Sequence, residues 1–508
     1  MKKIALILAI IMLLSLAACG MQAHAEQATD SDIDEMVISQ FMELTKIPRP
    51  SHHEEKISEY LENWAKERGF EVTRDKVNNI IFDVPATEGM ENKPMIGLQG
   101  HMDMVFAQKD GSNLDPLTTV INVVNDGTTL KSDGTTSLGA DDGIGVAMIL
   151  CIADGKMEHG PIRAIITTDE EDGMDGTFNL DPKYVQNIDY LINLDAEQEG
   201  QIIVSTAAGV LEEFTQEFTP CEPAKQQTVT IKLKGLTGGH SGVEIDKGRL
   251  NGAIAMGKLL SDLQAGGVDF ELQSFNAGTA PNAIVTSATA VIRIDPEKLE
   301  EVKGFCATFE EDFLPQYKET DPNAVLEIDE ADVPGKVMPE AGRDALIRFV
   351  TNVTNGVNSW DPVMEGLVES SSNLGIVKAD AESLLVDTNI RSESAERLQE
   401  LVDGQEELGG ELGMAISYTK NADPWPYKED NVLMEKAHEA YKKLFNCDME
   451  EIAVHAGLEC GTFAVYNENI NMIAIGPTLH DPHTVNETLE IASVSKVWKL
   501  VEEIFAEF

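Results

Sequence analysis

The chain has 508 residues, in which 88 acidic side chains against 38 basic ones leave a formal charge of −50. That balance excludes nucleic acid as a partner, because phosphate binding requires a basic surface. The length exceeds what a single hydrophobic core organises, so two or more domains are expected, and an apolar share of 42% is that of a globular chain.

Lys2 and Lys3 precede an apolar run over residues 4–16. A membrane span needs about 20 apolar residues, so the run reads instead as a signal peptide over residues 1–18. Its end, Leu16-Ala17-Ala18-Cys19-Gly20, resembles a bacterial lipobox. The resemblance implies lipidation of Cys19, a tether over 19–32, and an extracytoplasmic protein that reaches a bacterial membrane only through its lipid anchor. The other five cysteines, Cys151, Cys221, Cys306, Cys447 and Cys460, are widely spaced and odd in number, which reads as buried thiols rather than a disulfide framework.

Apolar positions at Ile33, Val37, Phe41 and Leu44 predict a first helix that closes at Ile47-Pro48. Ser51 and Glu54 predict a capping box for a second helix that stops at Gly69. Strands are expected over 70–84, 94–98, 163–168 and 190–194, with a helix over 139–153 after a glycine-rich entry. Strands alternating with helices indicate an α/β layer with a largely parallel sheet. Over 208–423 the pattern changes to strands at 229–233, 288–294 and 383–387 with helices over 250–263 and 296–313 between them. This stretch reads as an inserted α+β domain. The first pattern returns over 424–508, with a helix at 433–444, a strand at 471–475 and a last helix at 494–508. The expected fold class is therefore α/β in two domains, a catalytic one from 33–207 and 424–508 and the insertion at 208–423.

Three of the apolar runs end in residues that can bind metal: His101 and Asp103, Glu170 and Glu171, Asp195 and Glu197. Open α/β sheets bind ligands at the carboxyl ends of their strands, so three such endings argue for one shared site. His101 and Asp103, two apart in an extended segment, face the same way, and Asp103 suits the partner that fixes the tautomer of a metal-bound imidazole. Asp141 and Asp142 stand between glycines at a helix start, where an Asp is also a common N-cap. A carboxylate there has two oxygens with which to bridge two cations. In the run 169–172 four carboxylates raise one another's pKa, a state that a cation or a base working near neutrality accounts for.

Gly100-His101-Met102-Asp103, Gly139-Ala140-Asp141-Asp142-Gly143, Thr168-Asp169-Glu170-Glu171 and Asn193-Leu194-Asp195, in that order, resemble the M20 metallopeptidases. The match is to their aminoacyl-histidine dipeptidase branch, the carnosine-cleaving Xaa-His dipeptidases. It extends to residues 47–51, Gly238-Gly239-His240-Ser241-Gly242, Asn282-Ala283-Ile284, the run from His455 to Gly461, and Ile475-Gly476-Pro477. The resemblance implies that His101, Asp141 and Asp195 hold one divalent ion and Asp141, Glu171 and His483 a second. His483 follows Pro482 as the family pattern requires, with His480 as the alternative. Glu170 is then the general base acting on a water shared by the two ions, and Asp103 the supporting carboxylate. The Asp141–Asp142 peptide is expected to be cis. Asp169 and Asp172 are left without a role, as exposed bystanders. The mixed donor set suits zinc, with manganese or cobalt as alternatives. The insertion corresponds to the family's lid, on which His240 faces the oxyanion while Asn282 and Arg391 contact the substrate. Gly457 adds a backbone contact in the cleft. For Arg391 a surface salt bridge is the other reading in so acidic a chain. Ala280-Pro281 stands where relatives have a basic residue, which leaves side-chain preference open. The reading is a metal-dependent dipeptidase acting on small peptides, Xaa-His and carnosine-like ones among them. The alternatives are an aminoacylase, carboxypeptidase or tripeptidase of the same family, and a substrate-binding lipoprotein on an inactive scaffold. Monomer and homodimer both stay open.

Overall fold

Two large sheets organise the chain in the computed structural model, which describes residues 28–362 and 366–508. The segment read as a signal peptide, and Cys19, lie outside the described residues. In the eight-stranded sheet, Ile96–His101 runs parallel to Ile162–Thr167 on one side and Tyr190–Asn193 on the other. Asn471–Ala474 continues the parallel set beyond Tyr190–Asn193, and Gln201–Thr206 pairs in parallel with Glu450–Val454 at the far edge. The hairpin Val72–Arg74 and Ile80–Val84 adds an antiparallel edge at the other side. Every residue of Ile96–His101 is buried, Gln99 and His101 included, the pattern of a strand covered on both faces, so it lacks the alternation of a half-exposed strand. The fold class is α/β, as expected.

Helix Asp30–Leu44 lays Ile33, Val37, Ile38, Phe41 and Leu44 onto helix Ala140–Cys151, all of whose residues are buried. Each large side chain so covered contributes about 1.5–3 kcal/mol. The predicted capping box of the second helix, Glu55–Glu67, does not form. Glu54 is its N-cap without a side-chain cap bond, because Ser51 Oγ donates instead to Asp103 Oδ2 at 2.8 Å. The carboxylate across the cleft edge outcompetes the helix end.

The second sheet has nine antiparallel strands, against which helices Gly252–Ala265, Glu340–Asn352 and Ala395–Glu411 pack. The chain leaves the first sheet at Thr206 and enters the second at Ala208. It returns after Ala422, and an isolated bridge between Thr206 and Trp425 ties the two crossings together. A third sheet joins Leu479–His480, Thr488–Glu490, Thr129–Ser132 and Val123–Asn125. Among the five cysteines described, Cys151, Cys306 and Cys460 are buried free thiols, but Cys221 and Cys447 are exposed, contrary to the expectation.

Candidate active site

The parallel strands deliver their last residues to one place. His101 ends its strand, and its Nε2 faces Asp141 Oδ1 at 3.1 Å and Asp195 Oδ1 at 3.3 Å. The second oxygen of Asp141 faces His483 Nε2 at 3.0 Å, and the same nitrogen meets Glu171 Oε2 at 2.7 Å. Asp141 thus stands between two sets, His101 with Asp195 and His483 with Glu171. His480 is turned away, with its Nε2 at 2.8 Å from Glu490 Oε1 on the protein surface. On the far side of the His101 ring, Nδ1 lies 3.3 Å from Asp103 Oδ1, which leaves the Nε2 lone pair to the cluster.

Local structure explains the glycines of these motifs. The Asp141–Asp142 peptide is cis, and Asp142 turns inward, accepting from the backbone N–H of His101 and of Gly145, each at 3.2 Å. A Cβ on Gly100 or on Gly145 would collide with that carboxylate. The helix start is held from far along the chain. The Glu487 carboxylate accepts from the N–H groups of Leu138 (2.7 Å), Gly139 (2.9 Å), Ala140 (2.7 Å) and Asp141 (3.3 Å), satisfying donors that a helix leaves unpaired at its N-terminus. Buried Arg49 fastens the opposite wall, donating to the carbonyls of Met102 (2.8 Å), Asp103 (2.6 Å) and Gly139. Asp103 in turn accepts from the N–H of Glu170 at 3.1 Å and so fixes the loop after Thr167.

In that loop the four carboxylates separate. Asp169 is buried, not exposed, because the His52 ring places Nδ1 at 2.9 Å from it. Asp172 remains exposed and takes the other ring nitrogen, also at 2.9 Å. Burial, with Asp195 and Glu171 nearby, pushes Glu170 well above the usual carboxylate range. Glu171 is raised by burial and Asp141, and Asp195 by burial, to about 8. Burial opposes ionisation of Asp141 as well, yet its contacts with His101 and His483 hold its pKa down. His483 is pulled up to about 11 by Asp141 and Glu171 against the effect of its burial. Buried Arg49 supplies one fixed positive charge, and so many buried acids outnumber it, which leaves an electrostatically incomplete set. Glu171 Oε1 is buried without a hydrogen bond, and ligand atoms of His101, Asp141 and Glu171 lie within 4.8 Å of one another. Two imidazoles and three carboxylates around these gaps fit divalent cations.

The lid residues gather separately. His240 Nδ1 accepts from the N–H of Gly242 (3.1 Å) and of Val243 (3.2 Å), so the ring proton sits on Nε2. Burial and the nearby Arg391 lower its pKa and keep it a neutral donor. Arg391 is itself buried, which brings it down to about 10. Its Nε has no hydrogen bond, and among the described residues no carboxylate pairs with it, so the salt-bridge reading is wrong. Asn282 lies exposed on the adjoining loop, its carbonyl accepting from Ser241 N at 2.9 Å. Asn373 Nδ2 secures the same loop at the carbonyls of Pro281 (3.1 Å) and Ala283 (2.9 Å). Gly457 is half-buried against Ala422 and Met174, where a Cβ would come within 2.6 Å of the Ala422 Cβ.

Four residues without an assignment from the sequence support the site: Arg49, Glu487, His455 and Glu459. Glu459 is fully buried and accepts from Thr167 Oγ1 at 2.8 Å and from Gln99 Nε2. His455 bonds to Ser371 of the lid sheet through Nε2 at 2.7 Å. Only the run from Arg49 and the run from His455 to Gly461 carried a signal, as parts of matched motifs. Glu487 carried none.

Comparison with known proteins accounts for this arrangement. Residues 97–507 match the model of peptidase family M20/M25/M40. The chain is 37% identical over 472 residues to the cytosol non-specific dipeptidase of Escherichia coli (strain K12), covering 92% of this chain and 96% of that one. The crystal structure of an aminoacylhistidine dipeptidase from Vibrio alginolyticus superposes with a TM-score of 0.83 at 30% identity, covering 95% of this chain and 98% of that one. A tripeptidase from Staphylococcus aureus shares the fold at 17% identity and a TM-score of 0.53. These matches correct the expected location. A relative aligned to nearly the whole chain is named a cytosol enzyme. The extracytoplasmic, lipid-anchored reading rested on residues 1–20 alone. The chain belongs to peptidase family M20/M25/M40.

Proposed function

We propose that this member of the M20/M25/M40 peptidases hydrolyses the amide bond of dipeptides, Xaa-His and carnosine-like dipeptides among them, at a site of two divalent cations. The supporting observation is Asp141, whose two oxygens face His101 and His483 separately, with Asp195 and Glu171 completing the two sets. His101, Asp141 and Asp195 would hold one ion, and Asp141, Glu171 and His483 the other. Zinc suits these donors, and manganese or cobalt also accept them. Bound there, such ions supply Lewis acidity to the scissile carbonyl and acidify water.

The chain's own residues do the rest. Glu170, held by its backbone on Asp103, takes the proton of the attacking water and delivers it to the leaving amine, a role that favours a carboxyl whose burial raises its pKa. His240 offers Nε2–H to the oxyanion. Arg391, buried without a counter-ion, takes the terminal carboxylate of the substrate, and Asn282 and Gly457 line the cleft. In this reading 33–207 and 424–508 form the catalytic domain, and 208–423 the lid that closes over the substrate. Hydrolysis of carnosine, other dipeptides, tripeptides and N-acyl amino acids, with and without chelator, tests the assignment. Chelator-sensitive cleavage confined to dipeptides is expected. Faster cleavage of N-acyl amino acids or tripeptides contradicts it, and no cleavage of any amide with zinc or manganese supplied contradicts the enzyme reading altogether.

A further inference from the structure

His455 belongs to the catalytic domain by sequence position, directly after strand Glu450–Val454, yet its side chain is engaged by the lid. The residue is 5% exposed, and its Nε2 shares a hydrogen bond of 2.7 Å with Ser371 Oγ. Ser371 stands directly across from Arg391 in the antiparallel pair of lid strands Val368–Ala379 and Ser383–Ser392. Residues so opposed project from the same face of a sheet, so the hydrogen bond brings the His455 imidazole beside the unpaired guanidinium. The two are close enough for Arg391, after burial, to help push the His455 pKa down to about 3, which leaves a neutral ring beside the cation.

The backbone of the same residue meets the other lid group. A Cβ on Gly242 would collide with the His455 carbonyl, and the Gly242 N–H is one of the two donors that fix the His240 ring. The loop is anchored from the hinge as well, because Ala207 N donates to the carbonyls of Val454 and Ala456, each at 3.2 Å. Four residues on, Glu459 bonds to Thr167 at the root of the Glu170 loop. A single short segment thus touches the strand paired with that of Arg391, the His240 turn, the crossing between the two sheets at Ala207 and the strand end that precedes the base.

We infer that His455, through its hydrogen bond to Ser371, is a positioning residue that sets Arg391 of the lid against the catalytic domain and so determines how tightly the substrate's terminal carboxylate is held. The inference rests on the proposed role of Arg391 in carboxylate binding. It assigns His455 no contact with the scissile bond and no proton transfer. A neutral ring suits this place, since a second positive charge beside Arg391 would bear on the guanidinium itself.

The test uses the metal-loaded full-length enzyme and two uncleavable ligands, a dipeptide with a reduced peptide bond and the same compound as its C-terminal amide. Binding of each is measured by calorimetry for the native protein and for His455→Ala, Ser371→Ala and Arg391→Ala. The native protein is expected to prefer the carboxylate form by at least ~10-fold, as a buried charge-assisted pair provides, and Arg391→Ala to abolish the preference. His455→Ala and Ser371→Ala are expected to reduce the preference to about 2-fold while binding of the amide stays within ~3-fold. Ser371→Ala removes only a hydroxyl, so it reports even where the histidine variant fails to fold. Native-like preference in both variants overturns the inference, as does equal weakening of the two ligands. A native protein with no preference overturns the Arg391 assignment and this inference with it, and is distinguished by the silence of Arg391→Ala.

Discussion

The two polar centres of this protein are electrostatic opposites. Around Asp141 the fold gathers carboxylates, among them Asp141, Asp142, Glu170, Glu171 and Asp195, and sets against them the imidazoles of His101 and His483 and the single guanidinium of buried Arg49. On the lid side it buries Arg391 beside His240 and His455, and among the described residues no carboxylate pairs with the guanidinium. Neither set balances its own charge, and each unbalanced buried charge carries a desolvation cost. The sign of the imbalance says what completes each: cations in the first, an anion in the second. On the proposed function, a dipeptide at a dinuclear centre would supply both at once, with its amide at the carboxylate-rich side and its terminal carboxylate at the guanidinium.

The contrast can be broken from either end. Removing metal with a chelator should reduce dipeptide hydrolysis below detection and lower the melting temperature, because ions bound only by the folded state stabilise it. An unchanged melting curve and full activity would mean that the acidic cluster needs no cation. Glu170→Ala should keep its metal, read by elemental analysis, and lose about 10³-fold in kcat. Loss of an ion instead would exchange its role with that of Glu171. Arg391→Ala should raise KM for dipeptides by about 100-fold, the ~3 kcal/mol of a charge-assisted pair, with a smaller change in kcat. A pure kcat effect would place the substrate carboxylate elsewhere. The smallest effect concerns the scaffold. Glu487→Gln retains the shape of the cap but weakens its bonds to four backbone N–H groups, and should destabilise the fold by about 1–3 kcal/mol in a denaturant titration.

Much of the carboxylate-rich centre was legible because its residues follow apolar strands in a fixed order, and a parallel sheet must present those ends together. What supports that centre was hidden. Glu487, buried in the fold, caps a helix start that lies some 346 positions away in the chain, and no local sequence pattern distinguishes it from a surface glutamate. Ser51 carried the capping signature, but that signature describes local competition only and is silent about Asp103. Asp169 was taken for an exposed residue because its partner, His52, is 117 positions distant. The lid was less legible than the catalytic sheet for a physical reason. Strand Val368–Ala379 carries the polar run Ser370-Ser371-Ser372-Asn373 in its interior, since part of it serves the cleft rather than a core. It therefore lacks the apolar alternation by which strands are recognised. The third sheet has no signature in the sequence because strands such as Leu479–His480 are too short to show a period.

The central claim is that Asp141 stands between two cations. Its most direct test is to titrate the metal-free protein with zinc, counting ions bound per chain and following dipeptide hydrolysis at each step, alongside Asp141→Ala. The account predicts two ions per chain in the native protein, activity that returns as both sites fill, and loss of tight binding at both sites in the variant. Full hydrolysis with no bound ion, or two ions held as tightly by Asp141→Ala as by the native protein, would contradict it.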